Sequence, residues 1–245
     1  GHSGIETNGN NTNDTVTLKN STLNVPNGFG IYFPSSGTLT IDNSTINAKT
    51  MGVQVCAGSL SISGDQTAIT VSGDAVPKTE NDGAIQDGAA ISVVNRTGYK
   101  DLDKIEVTGG KFKSNGTNAA IKAYDWANNT ESTFTANDKV AVSGGTFTSA
   151  VKEEYCAPGY IPTTNSDGTY GVKEGVYVAK VDNVKYETLQ AAINAARGGS
   201  TVRLLANVTL TEAAVFPAGK TVHLNLVGHN ITATGTALLI NGKTD

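Results

Sequence analysis

A ten-residue pattern that recurs along the first part of the chain limits the possible folds more than any other feature. Residues 15–24 read TVTLKNSTLN, and residues 38–47 read TLTIDNSTIN, 23 residues later. A looser copy, Ser-Leu-Ser-Ile, begins at Ser59, a further 21 residues on. A period near 20 residues, built from short stretches of alternating apolar and polar residues, is typical of a solenoid.

A second alternating segment lies between these copies. It reads Gly-Ile-Tyr-Phe at residues 30–33 and Gly-Val-Gln-Val at residues 52–55. Each period therefore contains at least two strands, separated by Gly, Asn and Ser residues that suit turns. One period forms one coil, and coils of this length stack.

Stacking of the coils predicts a core made of columns of like aliphatic residues. The predicted columns are Val16, Leu39 and Leu60, and Leu18, Ile41 and Ile62. The pattern returns at residues 105–112 and 140–147, now 35 residues apart, and the extra length falls around residues 124–130. We expect that insertion to form a loop on the wall of the stack, where solenoids tolerate additions.

The character of the sequence changes near Val151. Residues 154–162 and 165–172 lack the coil period but contain two prolines and an Asn-Ser-Asp-Gly turn signal, which is typical of a cap or linker. Farther on, Leu189, Ala192, Ile193 and Ala196 fall on one face of a helix that ends before a Gly-Gly pair. Alternating strands then resume, with 20 residues from Val202 to Val222.

Together these features predict an all-β protein, a right-handed parallel β-helix (solenoid) followed by a second one. We expect residues 4–150 to form the first module, truncated at its start, and residues 151–173 to form a cap or linker. Residues 174–245 are predicted to form the helix-capped first coils of a following β-helix. The open ends of such stacks also allow copies of the chain to associate.

Two segments resemble a known family. Residues 218–232, AGKTVHLNLVGHNIT, and residues 142–147, VSGGTF, followed by Tyr155, Gly159 and Tyr160, are similar to patterns in tandem parallel β-helix modules. Those modules belong to large secreted or wall-attached adhesin-like proteins of gut Firmicutes and relatives. The resemblance covers nearly the whole chain and implies a secreted or cell-surface location. It does not fix the activity, because the fold hosts adhesins, lyases and hydrolases alike.

Composition and motifs exclude several classes of function. A net charge of −4 with only 16% charged residues disfavours nucleic-acid binding, and no run of 18 apolar residues suggests membrane insertion. No histidines have the spacing of metal ligands and no glycine-rich phosphate loop precedes a helix, so we expect no metal and no cofactor. The separation of Cys56 and Cys156 does not establish a disulfide.

Enzymatic activity is the first alternative, because parallel β-helices include polysaccharide lyases and hydrolases. Such chemistry needs clustered carboxylates with a basic residue nearby. The candidates are Asp82, Asp87, Asp101 and Asp103, with Arg96 and Lys100. No pair of them recurs on successive coils, so we predict a protein that is not an enzyme.

Binding is the preferred interpretation. If Ile31 and Phe33 point inward, then Tyr32 points outward, whereas Tyr99, Tyr124 and Trp126 lie on the two longest insertions. Large aromatic residues are common anchors in recognition. We therefore predict a non-enzymatic surface module that uses Tyr32, Tyr99, Tyr124 and Trp126 to bind its partner.

Two classes of partner remain open at this point. They are a host protein, with immunoglobulins among the candidates, and a glycan such as mucin. A third interpretation is a structural spacer, which would lack any exposed aromatic cluster. For Trp126 the alternative to binding is that its side chain packs under its own loop.

Overall fold

A computed structural model describes residues 3–77, 83–126 and 137–241. The chain forms two compact units, Gly1–Glu174 and Gly175–Asp245. The described residues are mostly β, and one α-helix lies among them.

The described part of the first unit is built from short strands and two single 3-10 turns, Asn137–Lys139 and Glu153–Tyr155. The strands are β1 (Ser3–Glu6), β2 (Thr15–Lys19), β3 (Thr22–Val25), β4 (Phe29–Phe33), β5 (Thr38–Asp42), β6 (Thr45–Ala48), β7 (Met51–Val55), β8 (Gly58–Ser63), β9 (Ala68–Val71), β10 (Ile91–Asn95), β11 (Leu102–Val107), β12 (Lys111–Lys113), β13 (Ile121–Asp125), β14 (Val140–Val142), β15 (Thr146–Phe147), β16 (Tyr160–Thr164) and β17 (Tyr170–Glu174).

Consecutive strands enter three sheets in rotation. Sheet A has the order β1-β4-β7-β10-β13, and sheet B contains β2, β5, β8, β11 and β14 in chain order. Sheet C begins with β3, β6, β9, β12 and β15. All neighbours among these fifteen strands pair in parallel. Parallel sheets that share one interior bury aliphatic residues from all three.

The aliphatic columns predicted from the repeat are confirmed. Val16 lies opposite Leu39, which lies opposite Leu60. Leu18, Ile41 and Ile62 form the neighbouring column. Ile41 and Ile62 are fully buried, whereas Leu18 is half-buried because β2 is the edge strand of sheet B.

Glycine precedes Ile31 in β4 and Val53 in β7 because the backbones of adjacent strands of sheet A approach closely there. A methyl group on Gly30 would lie 2.3 Å from the carbonyl oxygen of Gly52. A methyl group on Gly52 would lie 2.4 Å from the carbonyl oxygen of Ala90. This contact accounts for the glycine that precedes the alternating residues in both copies.

The segment predicted as a cap or linker closes sheet C. Strands β16 and β17 form an antiparallel hairpin, and β17 pairs with β15 through Tyr170 and Phe147. Tyr155 is buried in the main core, and its hydroxyl accepts a hydrogen bond from the Ala123 amide at 3.2 Å. Because both strands of this hairpin belong to sheet C, the alternation of successive strands among sheets A, B and C ends here.

The second unit repeats the rotation on a smaller scale. Its elements are β18 (Ala179–Val181), β19 (Val184–Tyr186), α1 (Leu189–Ala195), β20 (Thr201–Leu204), β21 (Val208–Leu210), β22 (Ala214–Phe216), β23 (His223–Asn225), β24 (Ile231–Ala233) and β25 (Leu238–Ile240). Strands β20, β21 and β22 pair in parallel with β23, β24 and β25, respectively. The β18–β19 hairpin adds antiparallel to β20.

The amphipathic helix predicted before these strands is confirmed. Thr188 is its N-cap, and the Thr188 hydroxyl accepts a hydrogen bond from the Ala191 amide at 3.1 Å. Leu189, Ala192 and Ile193 are buried in the core of the second unit.

Two details of the sequence prediction were wrong. Val202 pairs with Leu224 and not with Val222, so the spacing between paired residues is 224 − 202 = 22 residues, longer than the apolar pattern indicated. Tyr124 and Asp125 belong to β13 and not to a loop. The rest of the predicted insertion, residues 127–130, lies outside the described residues.

Candidate functional site

The outer face of sheet A carries a column of polar residues, one from each of four strands. Tyr32 lies opposite Gln54, Gln54 opposite Ser92, and Ser92 opposite Lys122. Ile31 and Phe33 belong to the main core, whereas Tyr32 belongs to a separate apolar cluster. The outward direction predicted for Tyr32 is thus confirmed.

The exposure predicted for Tyr32 is wrong, because the chain folds back over this face. Residues 83–87, here called the covering segment, lie on the outer side of sheet A. The Gln54 side chain donates to the carbonyl oxygen of Ile85 and accepts from the Ile85 amide, both at 2.8 Å, as a neighbouring strand would. Lys122 Nζ donates to the carbonyl oxygen of Asp87 at 2.9 Å. Tyr32 is consequently only 6% exposed.

Asp87 fixes the covering segment through its buried carboxylate. Oδ1 accepts from the Ala89 amide at 3.0 Å, and Oδ2 accepts from the Tyr124 hydroxyl at 2.7 Å. The Ser92 hydroxyl lies 2.9 and 2.8 Å from the two oxygens. Burial raises the pKa of Asp87, and the nearby Lys122 ammonium and these hydrogen bonds oppose that rise.

One edge of the face holds a group that we call the arginine stack: Arg96, Tyr99 and Trp126. The guanidinium carbon of Arg96 lies 4.6 Å from the ring centre of Tyr99 and 4.5 Å from that of Trp126. A turn in which the Tyr99 amide donates to the carbonyl oxygen of Arg96 at 3.1 Å brings these two residues together. Cation–π contacts of this kind are favourable and orient the guanidinium.

Tyr32 and the covering segment hold the arginine stack in place. Arg96 Nη1 donates to the carbonyl oxygen of Gly83 at 2.6 Å and to the Tyr32 hydroxyl at 3.2 Å. The hydroxyls of Tyr32 and Tyr99 are 3.1 Å apart and share a hydrogen bond. Burial raises the pKa of Tyr32, so its hydroxyl stays neutral.

The four aromatic residues predicted as one binding site therefore separate. Tyr32, Tyr99 and Trp126 meet around Arg96, and Tyr99 and Trp126 are half-buried. Tyr124 is 2% exposed, and its hydroxyl binds Asp87. Tyr124 cannot contact a partner directly while the covering segment is in place, because it lies under that segment.

Arg96 is the residue whose role the sequence interpretation missed. It was considered only as a basic neighbour of carboxylates in a catalytic site. The signal that could have identified it is the Arg-Thr-Gly-Tyr turn at residues 96–99, since a turn of four residues brings the first and last side chains close.

The carboxylates considered for catalysis do not converge among the described residues. Asp87 is buried on the outer side of sheet A, whereas Asp103 is exposed on β11 of sheet B and accepts from the Ser59 hydroxyl at 3.0 Å. Asp101 and Lys100 are exposed, and Asp82 lies outside the described residues. Within the described ranges, no three His, Cys, Asp or Glu side chains form a cluster that could hold a metal ion.

The two cysteines are free thiols. Burial raises the pKa of Cys56 to about 12 and that of Cys156 to about 11, which keeps both thiols protonated and weakly reactive. In the part of the chain that the structure describes, no helix is both long and apolar enough to cross a membrane.

The raised pKa of Asp87 predicts a measurable dependence of stability on pH. A carboxyl group whose pKa is higher in the folded state stabilises the fold fully below its unfolded pKa of about 3.9, and this contribution disappears as the pH rises through the folded value. We expect the parent protein to gain stability relative to Asp87→Asn as the pH falls from 7 to 4. Urea unfolding of both proteins across that range measures the difference. Parallel curves for the two proteins would contradict the assignment.

Comparisons of this chain with family models, with curated proteins and with solved structures find no match.

Proposed function

We propose that the first unit is a right-handed parallel β-helix with a terminal cap and that the second unit is the helix-capped start of another. Strands that rotate in register through three parallel sheets support this architecture. The right-handed sense follows because connections between parallel strands of one sheet are right-handed in about 98% of cases.

We further propose that the chain is a non-enzymatic binding module of a secreted or bacterial cell-surface protein. The observation that carries this proposal is the arginine stack. Tyr, Trp and Arg are the residue types that most often dominate binding energy at protein interfaces. Here they are half-buried, and the contacts of the Arg96 guanidinium with both rings and its hydrogen bonds to Gly83 and Tyr32 hold it in place before any partner arrives, which lowers the entropy lost on binding.

A protein partner fits this surface better than a glycan does. A sugar ring that stacks on an aromatic side chain needs an open ring face. The Tyr99 ring already contacts the Arg96 guanidinium, and a methyl group on Gly9 would lie 2.6 Å from its Cε1 atom. We therefore propose a host protein as the partner, with immunoglobulins as the first candidates.

Biolayer interferometry with the immobilised chain tests the proposal. Purified IgG, secretory IgA and mucin are the analytes, and we expect saturable binding of at least one immunoglobulin. Binding of mucin alone would replace the protein partner with a glycan. No binding of any of the three would favour a structural spacer, which the burial of Tyr32 and Tyr124 under the chain's own covering segment supports.

Trp126→Ala is expected to weaken that binding about 30-fold. The estimate follows because loss of a hot-spot side chain costs about 2 kcal/mol, and about 1.4 kcal/mol corresponds to a tenfold change in affinity. Tyr177→Ala is the matched control, since Tyr177 lies in the second unit and its ring also contacts a cation, Lys185, at 5.8 Å. Equal losses in both variants would mean that the arginine stack is not the contact surface.

A further inference from the structure

Arg96 differs from the ion-paired cations of the first unit because none of the carboxylates that the structure describes contacts it. Lys19 pairs with Asp42 at 3.3 Å, and Lys104 pairs with Glu106 at 2.7 Å. Arg96 is half-buried, yet no acidic side chain of residues 3–77, 83–126 or 137–241 lies within 4.0 Å of its guanidinium. A positive charge that is partly removed from water is stabilised by an opposite charge, so a carboxylate presented by a partner would be favourable beside Arg96.

Among the described residues, the hydrogen bonds of the Arg96 side chain involve only Nη1. Nη1 is occupied by the carbonyl oxygen of Gly83 and by the Tyr32 hydroxyl. Across the described part of the chain, Nε and Nη2 have no acceptor. Those two groups form a planar fork whose spacing matches the two oxygens of a carboxylate.

We infer that Arg96 is the specificity-determining residue of the arginine stack and binds a carboxylate through Nε and Nη2. The carboxylate belongs to an Asp or Glu side chain of the protein partner, because the contacts of the Tyr99 ring disfavour a stacked sugar. Exposed Lys100, four residues further on, adds positive charge beside the site. This inference rests on the proposed function, and it names the chemical group that the partner must present.

A titration with a small carboxylate tests the inference without the natural partner. The probe is N-acetylglutamate N-methylamide, and the control compound is the corresponding glutamine derivative, which has nearly the same shape but no charge. The chain contains one tryptophan, so its fluorescence reports directly on the arginine stack. We expect saturable changes in this fluorescence and in the Arg96 Nε–H NMR signal at millimolar concentrations of the carboxylate. The amide should cause neither change.

Three variants identify the residue responsible. Arg96→Gln should abolish the response to the carboxylate, and Arg96→Lys should weaken it at least tenfold because an ammonium group lacks the planar fork. Arg203→Gln, which alters an exposed arginine of the second unit, should leave the response unchanged. Far-UV circular dichroism verifies that each variant is folded. If Arg96→Gln does not fold, Arg96→Lys, which retains the positive charge, tests the inference in its place.

The outcomes separate this inference from the proposed function. Equal responses to the carboxylate and the amide, or an unchanged response in Arg96→Lys, would overturn the inference. Tighter binding of N-acetylneuraminic acid than of the glutamate derivative would overturn the assignment to a protein side chain. A normal carboxylate response with no binding of immunoglobulin or mucin would support the carboxylate site and refute the proposed function alone.

Discussion

Ile41→Asp is expected to unfold the first unit. Ile41 is fully buried in β5, between Leu18 and Ile62 of the adjacent strands. Loss of the isoleucine side chain alone costs about 2–5 kcal/mol, and a buried carboxyl group without a partner adds a further penalty. The sum approaches the whole stability of a typical domain, about 5–15 kcal/mol. Urea unfolding followed by circular dichroism measures the loss.

Thr40→Asp is the matched control for this change. Thr40 precedes Ile41 on the same strand, is half-buried, and is absent from the core cluster that contains Ile41. The same substitution there should shift the free energy of unfolding by less than about 1 kcal/mol, as is usual for surface positions. Similar midpoints for the two variants would show that the register of sheet B is wrong.

The register of the first unit could be predicted from sequence because a repeat between strands and an alternation within each strand agree there. The 23-residue repeat aligns Val16 with Leu39 and Leu18 with Ile41, and the period of two within each strand assigns all four residues to the same face. A shift of one residue would move every aliphatic side chain out of the core, so the pattern admits one register. In the second unit the apolar pattern aligned Val202 with Val222, whereas the strands pair Val202 with Leu224, so the repeat there was predicted too short.

The covering segment could not be predicted in the same way. Residues 83–87 belong to no repeat, and side chains hold them to sheet A through contacts such as that of Gln54 with the Ile85 backbone. Alternation assigns Gln54 to the outer face correctly but cannot show whether that face meets water or another part of the chain. Gln54 is fully buried. Exposure depends on contacts between segments distant in sequence, which a local pattern does not contain.

For Tyr124, the contrast between predicted exposure and observed burial changes the interpretation of the candidate site. Its predicted position on an insertion favoured an exposed anchor like Trp126. In the structure it lies opposite Val94 in the parallel pair of β10 and β13, and its hydroxyl donates to the buried carboxylate of Asp87. Tyr124 therefore has a structural role, since it supports the segment whose Gly83 carbonyl orients Arg96.

Tyr124→Ala is accordingly expected to destabilise the first unit by about 3–5 kcal/mol, as replacement of a buried aromatic residue by alanine usually does. Tyr124→Phe keeps the ring and removes only the hydrogen bond to Asp87, so we expect a loss of about 1–3 kcal/mol. Urea unfolding of the parent and both variants measures the two steps.

Tyr99→Ala provides the comparison, because Tyr99 is half-buried and its removal leaves the contacts of Asp87 intact. Its effect on stability should be smaller than that of Tyr124→Ala. If Tyr124→Ala instead left the unfolding midpoint unchanged, Tyr124 would not lie beneath the covering segment. The outer face of sheet A would then be open, and all four aromatic residues could again act as anchors for a partner.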